Sequence, residues 1–155
     1  MNASLLHELG LRPVWGWARD AHFHLALAAG LLTGVVLWAV MPSGYARPVW
    51  SAPWLLMSFL LLQPALEELL FRGVIQGQTL SFHWGRRRWL GISMANIVTS
   101  ILFVLLHLMH HTPIWALAVF VPSLVFGHLR ERHASLWPAL LMHSGYNAIY
   151  LTAGL

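Results

Sequence analysis

The apolar positions of this chain fall into long blocks, without the two-residue alternation of a half-buried strand. Five blocks are near the roughly 20 helical residues that a bilayer crossing takes. They are Phe23–Met41, a run that begins near Trp50 (WSAPWLLMSFLLLQPALEELLFR), Leu90–Leu108, Pro113–Leu129 and Leu136–Leu155. The breakers lie between them, in PSGYARP, SFHWGRRR, MHHTP and RERHAS. Pro64 and Pro122 fall inside spans, where the backbone groups they free must be satisfied by neighbouring helices or water. The pattern predicts an all-α, polytopic membrane helix bundle of about five transmembrane helices. It forms one integral membrane domain over residues 1–155. The leading stretch SLLHELGLRPVWGW, with two tryptophans, suits an interfacial amphipathic helix. The first block is longer than a signal-peptide core and reads as a retained helix.

Composition supports the membrane class. Of 155 residues, 58% are hydrophobic and 9% charged, and the mean hydropathy is +0.65. A soluble domain carries about 25% charged residues. There is no cysteine, so thiol catalysis and thiolate metal sites are excluded. All nine basic residues are arginine, and their placement matters more than the net charge of +4. With five spans, Arg12, Arg19, Arg86, Arg87, Arg88, Arg130 and Arg132 share one side, and Arg47 lies on the other. The positive-inside rule then puts the N terminus in the cytoplasm and the C terminus outside. It also accounts for the basic charge without a nucleic-acid partner.

Against that background the segment ALEELLFRG stands out. Ionisable groups at membrane depth cost about 2.5–3.5 kcal/mol each on insertion scales, and they usually mark function. Glu68 and Arg72 are four apart and stack on one helix face, so they can neutralise each other. Glu67 is turned about 100° away and is left to point elsewhere. The third block carries FVLLH, with Phe103 and His107 four apart. The fifth carries HSGYN, with His143 and Asn147 four apart. Polar side chains in lipid must meet one another or a water-filled cavity. Convergence of Glu67, His107, His143 and Asn147 would build a polar pocket inside the bilayer.

Such a set can hydrolyse a peptide bond without a covalent intermediate. A carboxylate beside an imidazole holds a water and takes its proton. A second imidazole and a carboxamide donate to the oxyanion that water attack creates. Metal chemistry competes. Glu67, His107 and His143 are also a two-histidine, one-glutamate set of the kind that binds zinc. No HEXXH signature is present, and the metal-free reading is preferred, with zinc as the possible cofactor.

The three motifs together carry a resemblance. EELLFR fits an EExxxR pattern, FVLLH an FxxxH pattern and HSGYN an HxxxN pattern, in that order on successive spans. The chain resembles the CAAX-protease and bacteriocin-processing family of intramembrane proteases (CPBP, or ABI) over about residues 50–150. The stretch LVFGHLRERHASLWPALLMHSGYNAIY is also similar to that family's usual ending. The resemblance implies Glu67 as the catalytic carboxylate that activates water with His107. It implies His143 and Asn147 on the oxyanion side, with Glu68, Arg72 and Phe103 in support. It implies a membrane peptide or protein as substrate, in a bacterial inner membrane. Removal of C-terminal sorting segments and maturation of secreted peptides are the substrate classes that go with small members. The alternatives are a non-enzymatic bundle such as a bacteriocin-immunity protein, and a proton or metal transporter.

Depth sets a condition on the pocket. If the third helix began at Trp89, His107 would lie about 27 Å along it, near the outer face, with Glu67 about 25 Å from that face. The pocket therefore requires the helix to begin near Ser93 or Asn96, with Phe82–Trp89 outside it.

Overall fold

A computed structural model describes residue 6, residues 8–40 and residues 52–152. Helix α1 spans Ala21–Val40 and α2 spans Pro53–Ser81. A hairpin of two short antiparallel strands follows, β1 (Arg88–Trp89) paired with β2 (Ile92–Ser93). Next come α3 (Met94–His107), α4 (Pro113–Ala118), α5 (Phe120–His133) and α6 (Trp137–Thr152). The described regular structure is all-helical apart from the hairpin, and α1, α2 and the Pro113–His133 unit are each long and apolar enough to cross a membrane. Helix α3 is apolar but shorter. Residues 41–51, including Arg47, lie outside the described residues, as do Ser4, Leu5 and His7 of the leading segment and the last three residues of the fifth block.

The burial pattern is that of a lipid-facing bundle. Leu25, Leu32, Trp54, Leu66, Leu105 and Ile114 are exposed, whereas Glu68, Arg72, Gln76, Asn96, Thr99, Ser100 and Ser123 are buried. In lipid the hydrophobic effect does not drive helices together, so packing and interhelical hydrogen bonds must do so. Helix α5 packs against both α3 and α6, and α1 packs on α6.

Both internal prolines act as their chemistry requires. In α2 the backbone widens to five-residue turns over Ser58–Leu62, and the Gln63 N–H reaches back to the Ser58 carbonyl. Pro64 has no N–H to continue that register onto Phe59. The Phe59 carbonyl is instead taken by Asn147 of α6, whose Nδ2 donates to it at 2.9 Å. Pro122 lies just past the break at Val119 that separates α4 from α5.

Helix α3 begins at Met94, with Ser93 as its cap. The Ser93 hydroxyl accepts from the Asn96 N–H at 2.9 Å. The late start that the pocket requires is therefore met. Glu67 is 14 residues from the end of α2 and His107 is 13 from the start of α3. At 1.5 Å per residue, both lie about 20 Å from the hairpin end of the bundle.

The leading segment departs from the amphipathic helix expected of it. Leu6 and Glu8 are helical, the chain turns at Leu9–Gly10, and a short 3₁₀ turn follows at Gly16–Arg19. Its carbonyls are taken up by the bundle. Glu8 O accepts from Arg130, Gly10 O from the Leu136 N–H, Leu11 O from Trp137 and Arg12 O from Ser135. A helix over this stretch would have kept those carbonyls for itself.

Candidate active site

The site is built on the middle of α2. Glu68 and Arg72 are buried at 1% and 0% exposure, and Arg72 NH1 lies 3.3 Å from Glu68 Oε1. The i,i+4 pairing expected from the sequence is present. Three aromatic rings surround the guanidinium. Its central carbon is 4.7 Å from the Phe103 ring centroid, 5.4 Å from that of Phe126 and 6.0 Å from that of Phe71. Those faces favour a cation and keep water away from it.

Glu68 has a second partner that sequence spacing did not reveal. His143 Nδ1–H donates to Glu68 Oε1 at 2.9 Å, across 75 residues. One carboxylate oxygen thus joins Arg72 of α2 to His143 of α6. The His143 ring stacks on Phe126, with centroids 4.7 Å apart and planes 16° apart. Phe126 and Glu68 together fix the ring's position and tilt. His143 Nε2 is then turned toward Glu67, 3.8 Å from its Oε2. Glu67 is the more open of the two carboxylates, with 27% of its side chain exposed, yet its Oε2 is buried and makes no hydrogen bond.

His107 reaches the same neighbourhood through Phe103. Its ring lies 4.4 Å from the Phe103 ring, and the His143 ring lies 6.0 Å from it. The two imidazoles thus flank one phenyl group. His107 Nδ1–H donates to the Phe103 carbonyl at 2.8 Å, which leaves Nε2 as an acceptor. His143 is in ion-pair range of Glu67. Asn147 stands one turn beyond His143, with one N–H engaged by Phe59 O and a second remaining.

Behind Arg72 lies a set of polar residues that motif reading passed over. Its NH2 donates to the Ser123 hydroxyl at 2.7 Å and to the Ser123 carbonyl at 2.9 Å. Ser123 continues to Ser100 and Asn96 on α3. A signal was available, because Asn96, Ser100, Phe103 and His107 recur at helical spacing on one face of α3. Two cavities, of about 550 and 310 Å³, lie away from this cluster, one beside Asp20 and Arg132 and one between α1 and α6.

Among the described residues, no group of three or more histidine, aspartate or glutamate side chains is arranged to hold an ion. His143 Nδ1 and His107 Nδ1 are both committed elsewhere.

Comparison with known families places the cluster in context. A family model described as Type II CAAX prenyl endopeptidase Rce1-like matches residues 48–149, more than half of the chain. The chain belongs to this family. It is therefore an integral membrane protein of the CAAX-type intramembrane protease class, as the three motifs implied. The match begins just before α2 and ends within α6, so it encloses the whole charged cluster and leaves α1 outside. No curated protein and no solved structure matches the chain.

Proposed function

We propose that this protein is an intramembrane endopeptidase that hydrolyses a peptide bond of a membrane-embedded substrate by direct attack of water. The observation that carries the reading is the meeting of Glu67, Glu68, Arg72 and His143. Helices far apart in sequence are tied there by contacts of 2.9 to 3.8 Å. Both nitrogens of His143 face carboxylates, so the ring donates from both when it carries its second proton.

In this reading Glu67 is the general base. A gap of 3.8 Å is too long for a direct hydrogen bond, so Glu67 Oε2 keeps its lone pairs for a proton of the attacking water. Glu67 takes one proton from the attacking water, and His107 Nε2 accepts the other hydrogen and orients it. The water oxygen bonds to the carbonyl carbon. The oxyanion so formed accepts from His143 Nε2–H and from the remaining N–H of Asn147. The proton held by Glu67 passes to the departing amine as the C–N bond breaks, so water is divided between the two products. Glu68 and Arg72 hold the ring of His143 and do not react. No step runs through a metal.

Five spans, a cytoplasmic N terminus and a bacterial inner membrane are part of the proposal. The substrate is a membrane peptide or protein, and trimming of sorting segments or of secreted peptides fits a bundle of this size. The family description speaks of prenylated substrates, and that class stands beside these. The test is mass spectrometry of a candidate membrane peptide after incubation with the parent and with Glu67→Gln, each with and without chelator. Glu67→Gln is expected to lose about 10²–10⁴-fold in rate while folding normally, the usual contribution of a positioned general base. Cleavage by Glu67→Gln at the parent rate would remove Glu67 from the chemistry.

A further inference from the structure

We propose that Ser123 and Ser100 are positioning residues for the hydrolytic site, which set the direction of the Arg72 guanidinium and, through Glu68, of the His143 ring. The proposal rests on the hydrolytic reading above. Arg72, Ser123, Ser100 and Asn96 run in a line between α2, α5 and α3, and all four are buried. Each hydrogen bond along the line has one direction. Asn96 Nδ2 donates to Leu124 O at 2.9 Å, which leaves Asn96 Oδ1 facing Ser100. The Ser100 hydroxyl donates to that Oδ1 at 3.2 Å, and the Ser123 hydroxyl donates to Ser100 Oγ at 2.9 Å. Arg72 NH2 donates to Ser123 Oγ at 2.7 Å, and on its other side NH1 lies 3.3 Å from the Glu68 oxygen that receives His143 Nδ1–H.

The direction matters because a hydroxyl has a single hydrogen. Ser123 gives its hydrogen to Ser100, so a lone pair is presented to the guanidinium. Without an acceptor at Ser100, that hydrogen can turn toward Arg72, and the contact changes from attraction to repulsion. Asn96 sets the start of the line, and α5 makes room for it. A Cβ at Gly127 would stand 2.0 Å from Asn96 Oδ1. Four hydrogen bonds and one ion pair thus translate the position of one carboxamide on α3 into the position of one imidazole on α6. Interhelical polar contacts also hold helices together in lipid. A purely adhesive role would change stability and leave both the His143 ring and the turnover of folded molecules as they are.

The experiment uses the full chain in detergent micelles and compares Ser123→Thr with Ser123→Val. The two side chains have the same shape and differ in the hydroxyl. Two quantities are read: the ¹⁵N resonance of His143 Nδ1 in histidine-labelled protein, and kcat and KM on a synthetic membrane-spanning peptide. Ser123→Val is expected to lose about tenfold in kcat per folded molecule, as for one charge-assisted hydrogen bond, with KM within about twofold. It is expected to move the His143 resonance and leave that of His24, whose ring bonds to Ala18 O. Ser123→Thr should return both readouts to within about threefold of the parent or to the parent position. Ser100→Ala should shift His143 in the same way. If Ser123→Val does not fold, Ser123→Ala replaces it, because it removes the hydroxyl without adding volume. Equal kcat and equal His143 resonances in the Thr and hydroxyl-free variants would overturn the proposal. A parent that cleaves nothing, or a Glu67→Gln variant that cleaves like the parent, would instead sink the hydrolytic reading. In that case the His143 resonance still decides whether the serines position the ring.

Discussion

Two of the seams in this bundle are built from opposite materials. Between α1 and α6 the contact is one of shape. Gly30 faces the ring of Tyr146 and Gly34 faces Ile149, so closely that a Cβ would stand 2.4 and 2.3 Å from them. One side-chain hydrogen bond accompanies it, from the Tyr146 hydroxyl to Ala26 O at 2.8 Å. Between α2, α3 and α5 the contact is polar, through Arg72, Ser123, Ser100, Asn96 and Gln76. Small residues and buried hydrogen bonds are the two ways helices associate in lipid. The polar seam lies inside the residues that match the protease family, and α1 lies outside them. Shape attaches α1, and directed hydrogen bonds carry the groups whose orientation the proposed chemistry needs.

The most severe break of the polar seam is Arg72→Ala. It leaves Glu68 buried at 1% exposure with the His143 ring as its remaining hydrogen-bond partner, and it removes the donor to Ser123. Removing one member of a buried ion pair costs about 3–5 kcal/mol. The expected outcome is a large fall in the melting temperature of the detergent-solubilised protein, with activity lost because little protein folds. Normal thermal stability of the variant would show that Arg72 is not what holds Glu68.

The corresponding break of the shape seam is Gly30→Ala, and it should be milder. The added methyl meets the rigid Tyr146 ring, and overpacking of this kind costs about 1–3 kcal/mol. Because α1 carries none of the proposed chemistry, turnover per folded molecule should stay at the parent value. A loss of turnover beyond the loss of fold would mean that α1 reaches the site. Gly16→Ala is the matched control, since a Cβ there meets nothing within 4 Å.

The sequence made the polar seam only half visible, for a physical reason. Pairing within one helix is fixed by a 3.6-residue period, so Glu68–Arg72 could be read from spacing alone. The bond from His143 to Glu68 spans two helices and depends on where α6 crosses α2, which no local period encodes. Sequence reading therefore set His143 and Asn147 together on the oxyanion side. In the structure His143 lies between the two glutamates, and Asn147 also caps a carbonyl that Pro64 leaves free. The proline signal was legible as a need for a partner, and the partner's identity was not. Beyond Glu8 the leading segment departs from a helix for the same reason. Arg130, Ser135 and Trp137 take its carbonyls, and that is a tertiary fact.

The mildest test concerns the end of the α1 seam, where shape gives way to charge. Asp20 precedes α1, accepts from the His22 N–H at 2.9 Å through Oδ1, and meets Arg132 and His133 of α5 through Oδ2. The hydrogen bond from Arg132 is the main cause that lowers the Asp20 carboxyl from its ordinary 3.8 to about 2. A carboxyl that binds its proton less readily folded than unfolded stabilises the fold while it is ionised. Its contribution is thus fully present above pH 3.8 and is lost as the pH falls through about 2. Asp20→Asn should remove that dependence. The stability difference between parent and variant should be level just above pH 4 and shrink from there toward pH 2, as read by melting curves in detergent. A difference that stays constant down to pH 2 would show that the Arg132 contact does not anchor α1. The shape seam alone would then hold that helix to the rest of the bundle.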